Sequence, residues 1–202
     1  MTGSVEQPDG STPALPNEDR LLMVRVAARE PSAQRELCLR LVARVRRTTR
    51  ALIRTSDDAD DAAQATLLEI LRFADSYRGE SSLERWADRI TVRTALRLAR
   101  ESRRRGMLVD GALGPDDLPG AHHDHEGREL LTSVKRHVDR LAEPRRAVLV
   151  LRCIMGYSID EVSEMTGASP NTVKDRLLRA REEIRQMIRR ESAALPLRVA
   201  NE

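Results

Sequence analysis

Residues 158–181 read SIDEVSEMTGASPNTVKDRLLRAR, and their order specifies two short helices and the turn between them. Ser158 followed three residues later by Glu161 is a capping box: the hydroxyl accepts from the Glu161 backbone N–H while the carboxylate accepts from that of Ser158. Ile159, Val162 and Met165 recur behind it at helical spacing, and Gly167 ends the helix where a left-handed residue costs least. Ser169 is a second N-cap, and Pro170 takes the first helical position, where its missing N–H is no loss. Val173, Leu177, Ala180 and Ile184 then share an inward face, leaving Asn171, Lys174, Asp175, Arg176 and Arg179 pointing away. Two helices about a tight turn, the second polar and basic on its open side, make a helix-turn-helix that points to DNA. An ordinary hairpin with a solvated charged face does not need two successive caps around one glycine.

Composition sets the surroundings. The chain has 202 residues, net charge +3 and 33% charged residues, and only Lys135 and Lys174 are lysines among its 35 basic residues. Aromatics are 2%, namely Phe73, Trp86, Tyr77 and Tyr157, so the cores must be aliphatic, which suits an all-α chain of two small helical bundles. Cys38 and Cys153 lie far apart within helical patterns and read as reduced core thiols of a cytoplasmic protein. No apolar run approaches the ~18 residues of a membrane span, and the N-terminus lacks the apolar segment of a signal peptide.

Outward from the helix-turn-helix, Pro144 opens a helix in which Val148, Leu149, Leu151, Ile154 and Met155 supply the supporting core, and Gly156 ends it. Leu130, Leu131, Val134, Val138 and Leu141 precede it. Residues 106–127 are rich in Gly, Pro and acids and read as a flexible linker. Its His122, His123, Asp124 and His125 lack the spacing of a structural zinc site. Residues 1–17 have the composition of a disordered extension, and 191–202 of a frayed tail.

The first module runs from 18 to 105. Pro31 breaks the opening amphipathic helix and Ser32 caps the next, whose buried stripe is Leu37, Leu41, Val45 and Leu52; Arg44, Arg46, Arg47, Arg50 and Arg54 form its solvated face. Ser56 or Asp57 caps a third helix with aspartates in its first turns, where the helix dipole favours negative charge. Leu67, Ile70, Leu71 and Ala74 face inward. After the loop 76–82, Ser81 or Ser82 caps a long helix with Leu83, Trp86, Ile90 and Thr94 inward. On it Arg85, Arg89, Arg93 and Arg97 recur every fourth residue on one face, and Arg100 and Arg104 extend the row. Residues 93–105 hold six arginines against Glu101 alone. A row so little relieved by acids points to a polyanion partner.

Three segments together resemble a known family. DADDAAQATL (58–67), YRGESSLERWADRI (77–90) and SPNTVKDRLLRAR (169–181) are similar, in this order, to the extracytoplasmic-function class of bacterial RNA polymerase sigma factors. The resemblance spans roughly residues 20–190. It implies a region 2 at 18–105 that binds the clamp helices of the core polymerase through Asp58, Asp61, Gln64 and Leu68. The same region would read and open the −10 promoter element with Tyr77, Arg78, Ser81, Ser82, Arg89, Arg93, Arg97 and Arg100. Tyr77 would serve as a base-stacking platform and Trp86 as the main core aromatic. A region 4 at 128–190 would place its second helix on the −35 element through Ser169, Pro170, Asn171, Thr172, Lys174, Asp175, Arg176 and Arg179. The physical reading agrees: a helix N-terminus and arginines suit phosphates, while Asn suits adenine and Lys suits guanine. Arg93 and Arg97 stand where the family commonly has Asn and Asp, and Asn171 and Asp175 where it often has Gly and Ser. The resemblance also implies an anti-sigma partner, no cofactor, no metal, no membrane insertion and no catalysis by the chain itself. The competing reading is a stand-alone helix-turn-helix regulator with a helical sensor domain, which leaves DADDAAQ and the arginine row without a purpose. A metal-dependent enzyme on the aspartate cluster finds no catalytic motif to support it.

Overall fold

The computed structural model describes residues 17–109 and 135–194; the expectations for residues 1–16, the His-rich linker and the final tail lie outside them. All the regular structure among the described residues is helical, with α1 at Asn17–Ala27, α2 at Pro31–Leu52, α3 at Ser56–Arg72 and α4 at Leu83–Val109. A 3-10 turn at Ala74–Ser76 joins α3 to the loop before α4. The second half comprises α5 (residues 135–140), α6 at Glu143–Leu149, α7 at Ile159–Thr166 and α8 at Pro170–Ala194.

Caps define the elements, and two lie one or two residues from their expected positions. Pro31, not Ser32, opens α2, with Glu30 as N-cap. Ser32 instead donates to the Glu30 carboxylate, which also takes both prongs of Arg25; the Arg25 and Ser32 hydrogen bonds lower the Glu30 pKa to about 2. Thr55 precedes α3 in extended conformation, so neither Ser56 nor Asp57 is the cap. Ser82 does cap α4, accepting from the Arg85 N–H at 3.3 Å. Helix α4 continues to Val109, past the expected end at Arg105.

Two apolar clusters form. The first gathers Leu22, Met23 and Val26 of α1 onto Leu37, Leu41 and Val45 of α2, Ile70 of α3 and Leu83 of α4. The second takes Leu52, Ile53, Ala59, Ala62, Val92, Ala95 and Leu96 from the first module and Val148, Leu151, Tyr157, Val162, Val173 and Leu177 from the second. The expected pair of separate bundles is therefore docked, with one core shared between them. Aliphatic patterning reveals that these residues are buried but not which module covers them.

The helix before the helix-turn-helix also ends differently. After α6 the chain widens into a π turn at Val150–Ile154. The extra residue in the turn rotates its end outward: Ile154, expected in the core, is 68% exposed, and Cys153 is exposed rather than a core thiol. Cys38 is half-buried. No helix among the described residues is long and apolar enough to cross a membrane.

Removing the Leu41 side chain, which is fully buried, is expected to cost about 2–5 kcal/mol by transfer and cavity terms. Leu39→Ala, two residues away and 67% exposed, should stay within about 0.5 kcal/mol. Urea unfolding of the two variants measures the difference.

Candidate nucleic-acid interface

The helix-turn-helix forms as its sequence dictates. Ser158 Oγ accepts from the Glu161 N–H at 3.2 Å while the Glu161 carboxylate accepts from the Ser158 N–H at 2.8 Å. Burial works against the Glu161 charge, but this backbone bond and Arg85 outweigh it and hold the carboxyl below its ordinary pKa. Gly167 takes φ 69°, the left-handed conformation that lets α7 stop there. Ser169 then accepts from the Thr172 N–H at 3.2 Å and shares a 2.8 Å hydrogen bond with its hydroxyl.

This arrangement sorts the expected −35 residues. Asn171, Lys174, Asp175 and Arg179 stand exposed along the start of α8, and Arg179 Nε donates to Asp175 at 3.0 Å. Pro170 is exposed at the first helical position. Ser169 and Thr172 are committed to the cap. Arg176 is half-buried and faces a cleft of about 300 Å3 against α4, lined also by Arg100, Arg103, Glu143 and Thr166.

The arginine row on α4 does lie on one face, but it is not unrelieved. Apart from Glu101, its acids come from other helices. Arg85 meets Glu161 at 3.0 Å, and Arg93 and Arg89 meet Glu164 at 3.4 and 4.0 Å. Arg97 bonds Glu69 of α3 at 2.8 Å and Glu101 at 3.3 Å, and Arg103 bonds the buried Glu143 at 2.6 Å. Local sequence could not reveal these pairings, because Glu161 and Glu164 lie some seventy residues downstream. Arg97, Arg100, Glu101, Arg103 and Arg104 line a basic groove that continues along the helix.

Two aromatic expectations are corrected. Tyr77 is buried, its hydroxyl donates to the Ser81 carbonyl at 3.0 Å, and its ring meets Trp86 edge-on at 5.5 Å. Its face is thus packed inside the protein, not offered to a base. Trp86 is only half-buried and packs at the margin of the first cluster, which is led by aliphatic side chains. Arg78 is exposed, and Ser81 and Ser82 are half-buried beside it.

On α3, Asp61, Gln64 and Leu68 are exposed at three- and four-residue spacing and form one open stripe. Asp58 is half-buried at its edge, accepting from Thr55 at 2.7 Å and from Ser102 of α4 at 3.4 Å. Asp60 takes Arg50 at 3.1 Å. Asp58 and Asp60 thus serve the fold, and among the described residues no three His, Cys, Asp or Glu side chains are grouped to hold a metal.

The residues that sequence reading missed hold the modules together. Asp88 is 1% exposed. Its carboxylate takes Arg44 of α2 in a bidentate pair at 2.8 and 2.7 Å and the Tyr157 hydroxyl at 2.5 Å. Burial first, and Asp88 second, push the Tyr157 pKa up, while the Asp88 hydrogen bond raises that of Arg44. Arg85 lies over the Tyr157 ring at 4.9 Å. Arg44, expected on a solvated face, is therefore a buried carboxylate's partner. Deeper in, Arg146 donates twice to the Leu52 carbonyl at 2.7 and 3.1 Å, and its burial lowers its pKa. One signal was legible: Tyr157 is the sole aromatic of the second module and directly precedes the N-cap Ser158, where a hydrophobic staple sits.

Tyr157→Phe keeps the ring and deletes the hydroxyl, and is expected to cost about 1.5–3 kcal/mol, the range for a hydrogen bond to a charged group. Asp88→Asn should cost about 3 kcal/mol, the low end for breaking a buried pair, because Arg44 remains partly solvated. Denaturant unfolding of the full chain reads both.

Comparison with known proteins places the two modules. The family model for Sigma-70 region 2 matches residues 37–105, and that for Sigma-70 region 4 matches residues 132–184. The ECF RNA polymerase sigma factor SigM of Mycobacterium tuberculosis is 34% identical over 142 residues, 70% of either chain. The ECF RNA polymerase sigma-E factor of Escherichia coli is 28% identical over 178 residues, covering 82% of this chain and 92% of that protein. The fold is that of RpoE from Bartonella quintana, solved with the anti-sigma factor NepR, with TM-score 0.61 and 22% identity over 77% of this chain and 96% of that one. It is also that of CnrH, solved with the cytosolic domain of CnrY, with TM-score 0.55 and 22% identity over 85% and 97%. With both regions matched in order and a relative at this identity, the chain belongs to the extracytoplasmic-function sigma factors, non-enzymatic initiation subunits of bacterial RNA polymerase.

Proposed function

We propose that this sigma factor reads the −35 element with the start of α8 and the −10 element with α4 and the loop before it. The observation that carries this reading is the exposed quartet Asn171, Lys174, Asp175 and Arg179 on a helix whose first turn is fixed by the Ser169 cap. Asn171 and Lys174 stand nearest the helix start, where a recognition helix meets base edges. Arg179 and the free backbone N–H groups suit phosphates, which position without specifying sequence. In region 2, Arg78, Arg93, Arg97 and Arg100 carry positive charge to the promoter strand, with Ser81 and Ser82 framing the loop. Arg93 and Arg97 favour phosphate attraction over base-specific contact. Core polymerase docks on Asp61, Gln64 and Leu68, with Asp58 at the border.

The protein works in the cytoplasm, where its DNA and polymerase are. Because RpoE from Bartonella quintana, which shares the fold, was solved with the anti-sigma factor NepR, control by an anti-sigma partner is the expected regulation.

Asn171→Ala or Lys174→Ala should cost about 1–3 kcal/mol at the matching promoter and relax base preference at one position. Run-off transcription from a randomised −35 library reads the preference; unchanged selectivity removes α8 as the reader. Replacing Asp61 and Gln64 together by Ala should weaken co-elution with core polymerase while region 4 stays folded, as followed by circular dichroism.

A further inference from the structure

We propose that the cleft beside the end of α4 is a binding site for a small diphosphate-bearing ligand, gripped by Arg100 and Arg176. Arg176 has no part in the promoter reading given above, and Arg100 is shared with it. The cleft has a volume of about 300 Å3. Four helices wall it: Arg100 and Arg103 come from α4, Glu143 and Ala147 from α6, Thr166 from α7 and Arg176 from α8.

Its charge is out of balance. Three guanidiniums face one carboxylate, and Glu143, only 9% exposed, is already spent on Arg103 at 2.6 Å. Among the described residues no acid pairs with Arg100 or Arg176. That sets them apart from Arg85, Arg89, Arg93 and Arg97 on the same α4, each of which meets a carboxylate. The Thr166 hydroxyl donates to the Val162 carbonyl at 2.7 Å, so guanidiniums are the side-chain donors left to the cleft. Uncompensated cations in a concave site with low-dielectric walls concentrate their field on whatever anion enters.

The chemistry of the lining selects the anion. A guanidinium fork matches the oxygens of a phosphoryl group in bidentate geometry. Two such forks on different walls suit two linked phosphoryl groups better than one. A volume of about 300 Å3 stands at the small end of ligand sites, which holds the ligand to a compact molecule. Leu96 and Ala147, 4% and 2% exposed, supply an apolar side for its organic part. Access is from the basic groove along α4, which shares Arg100 and Arg103 with the cleft. A DNA strand carries the same phosphate chemistry, so the test must separate the two sources.

Titration calorimetry of the full chain at fixed ionic strength, with inorganic pyrophosphate as probe and sulfate as the single-centred comparison, tests the site. Wild type should take one pyrophosphate per chain, about tenfold or more tighter than sulfate, and R100Q/R176Q should lose about tenfold or more of that affinity. The control R47Q/R190Q removes the same two charges from exposed residues outside the cleft and should stay within about twofold of wild type. Should the double variant lose helicity by circular dichroism, R176K serves alone: it keeps the charge, loses the fork and should bind pyrophosphate severalfold more weakly. Equal affinity for sulfate and pyrophosphate, or an equal loss in the control, reduces the effect to general charge attraction and overturns the proposal. Fluorescence anisotropy with a labelled single-stranded oligonucleotide supplies the second arm. R176Q should hold its oligonucleotide affinity within about twofold of wild type while losing pyrophosphate. A parallel loss of both makes the cleft a DNA contact, and the small-ligand site falls while the sigma reading stands.

Discussion

A carboxylate with almost no access to water must be satisfied from within, and Asp88 sets that constraint on this molecule. It lies in the second turn of the arginine-rich helix α4, and its two oxygens are shared between Arg44 of α2 and Tyr157 of the second module. Burying the charge unpaired would cost several kcal/mol. The register of α2 against α4 and the seat of region 4 on region 2 are therefore tied to the same atoms. Arg40 repeats the arrangement one turn earlier, bridging Asp19 of α1 and Glu84 of α4. Together the two arginines fix how three helices of region 2 sit.

This use of arginine suits the composition. With four aromatics and an aliphatic core, packing supplies cohesion but little directional information. Guanidiniums supply the direction, because a planar fork matches a carboxylate or a carbonyl in one geometry. The same property suits them to phosphate. On α4 these forks meet internal acids, Arg85 with Glu161, Arg93 with Glu164 and Arg97 with Glu69.

The helices were largely legible in the sequence, and the helix-turn-helix almost completely. Ser158, Glu161, Gly167, Ser169 and Pro170 act through backbone groups within a few residues, so their pattern carries the geometry with it. Errors arose where the deciding partner is distant or the backbone is irregular. Ser32 lost its cap because Pro31 could already start the helix. Ile154 and Cys153 turned outward because a π turn breaks the 3.6-residue count used to assign faces. Tyr77 resembled a stacking platform by position, yet its ring packs against Trp86. The arginine row appeared unrelieved because Glu161 and Glu164 return to it only through the tertiary fold. The exposed stripe of Asp61, Gln64 and Leu68 and the open face of α8 were readable, since exposure follows helical phase; which arginines are paired inside the fold was not.

The bond from Arg146 to the Leu52 carbonyl gives the docked arrangement an allosteric character. Leu52 is the last residue of α2, where carbonyls lack intrahelical partners, so a guanidinium from region 4 serves as the C-terminal cap of a region 2 helix. Whatever separates the modules also strips that cap from the turn at 53–55, and this turn leads directly into the acidic start of α3. The exposed stripe on α3, proposed above for polymerase, and the inter-module seam are thereby connected, and any such linkage is reciprocal in free energy. A partner that loosened the α2–α3 turn would weaken the seat of region 4, and loss of that seat would loosen the turn in the same measure.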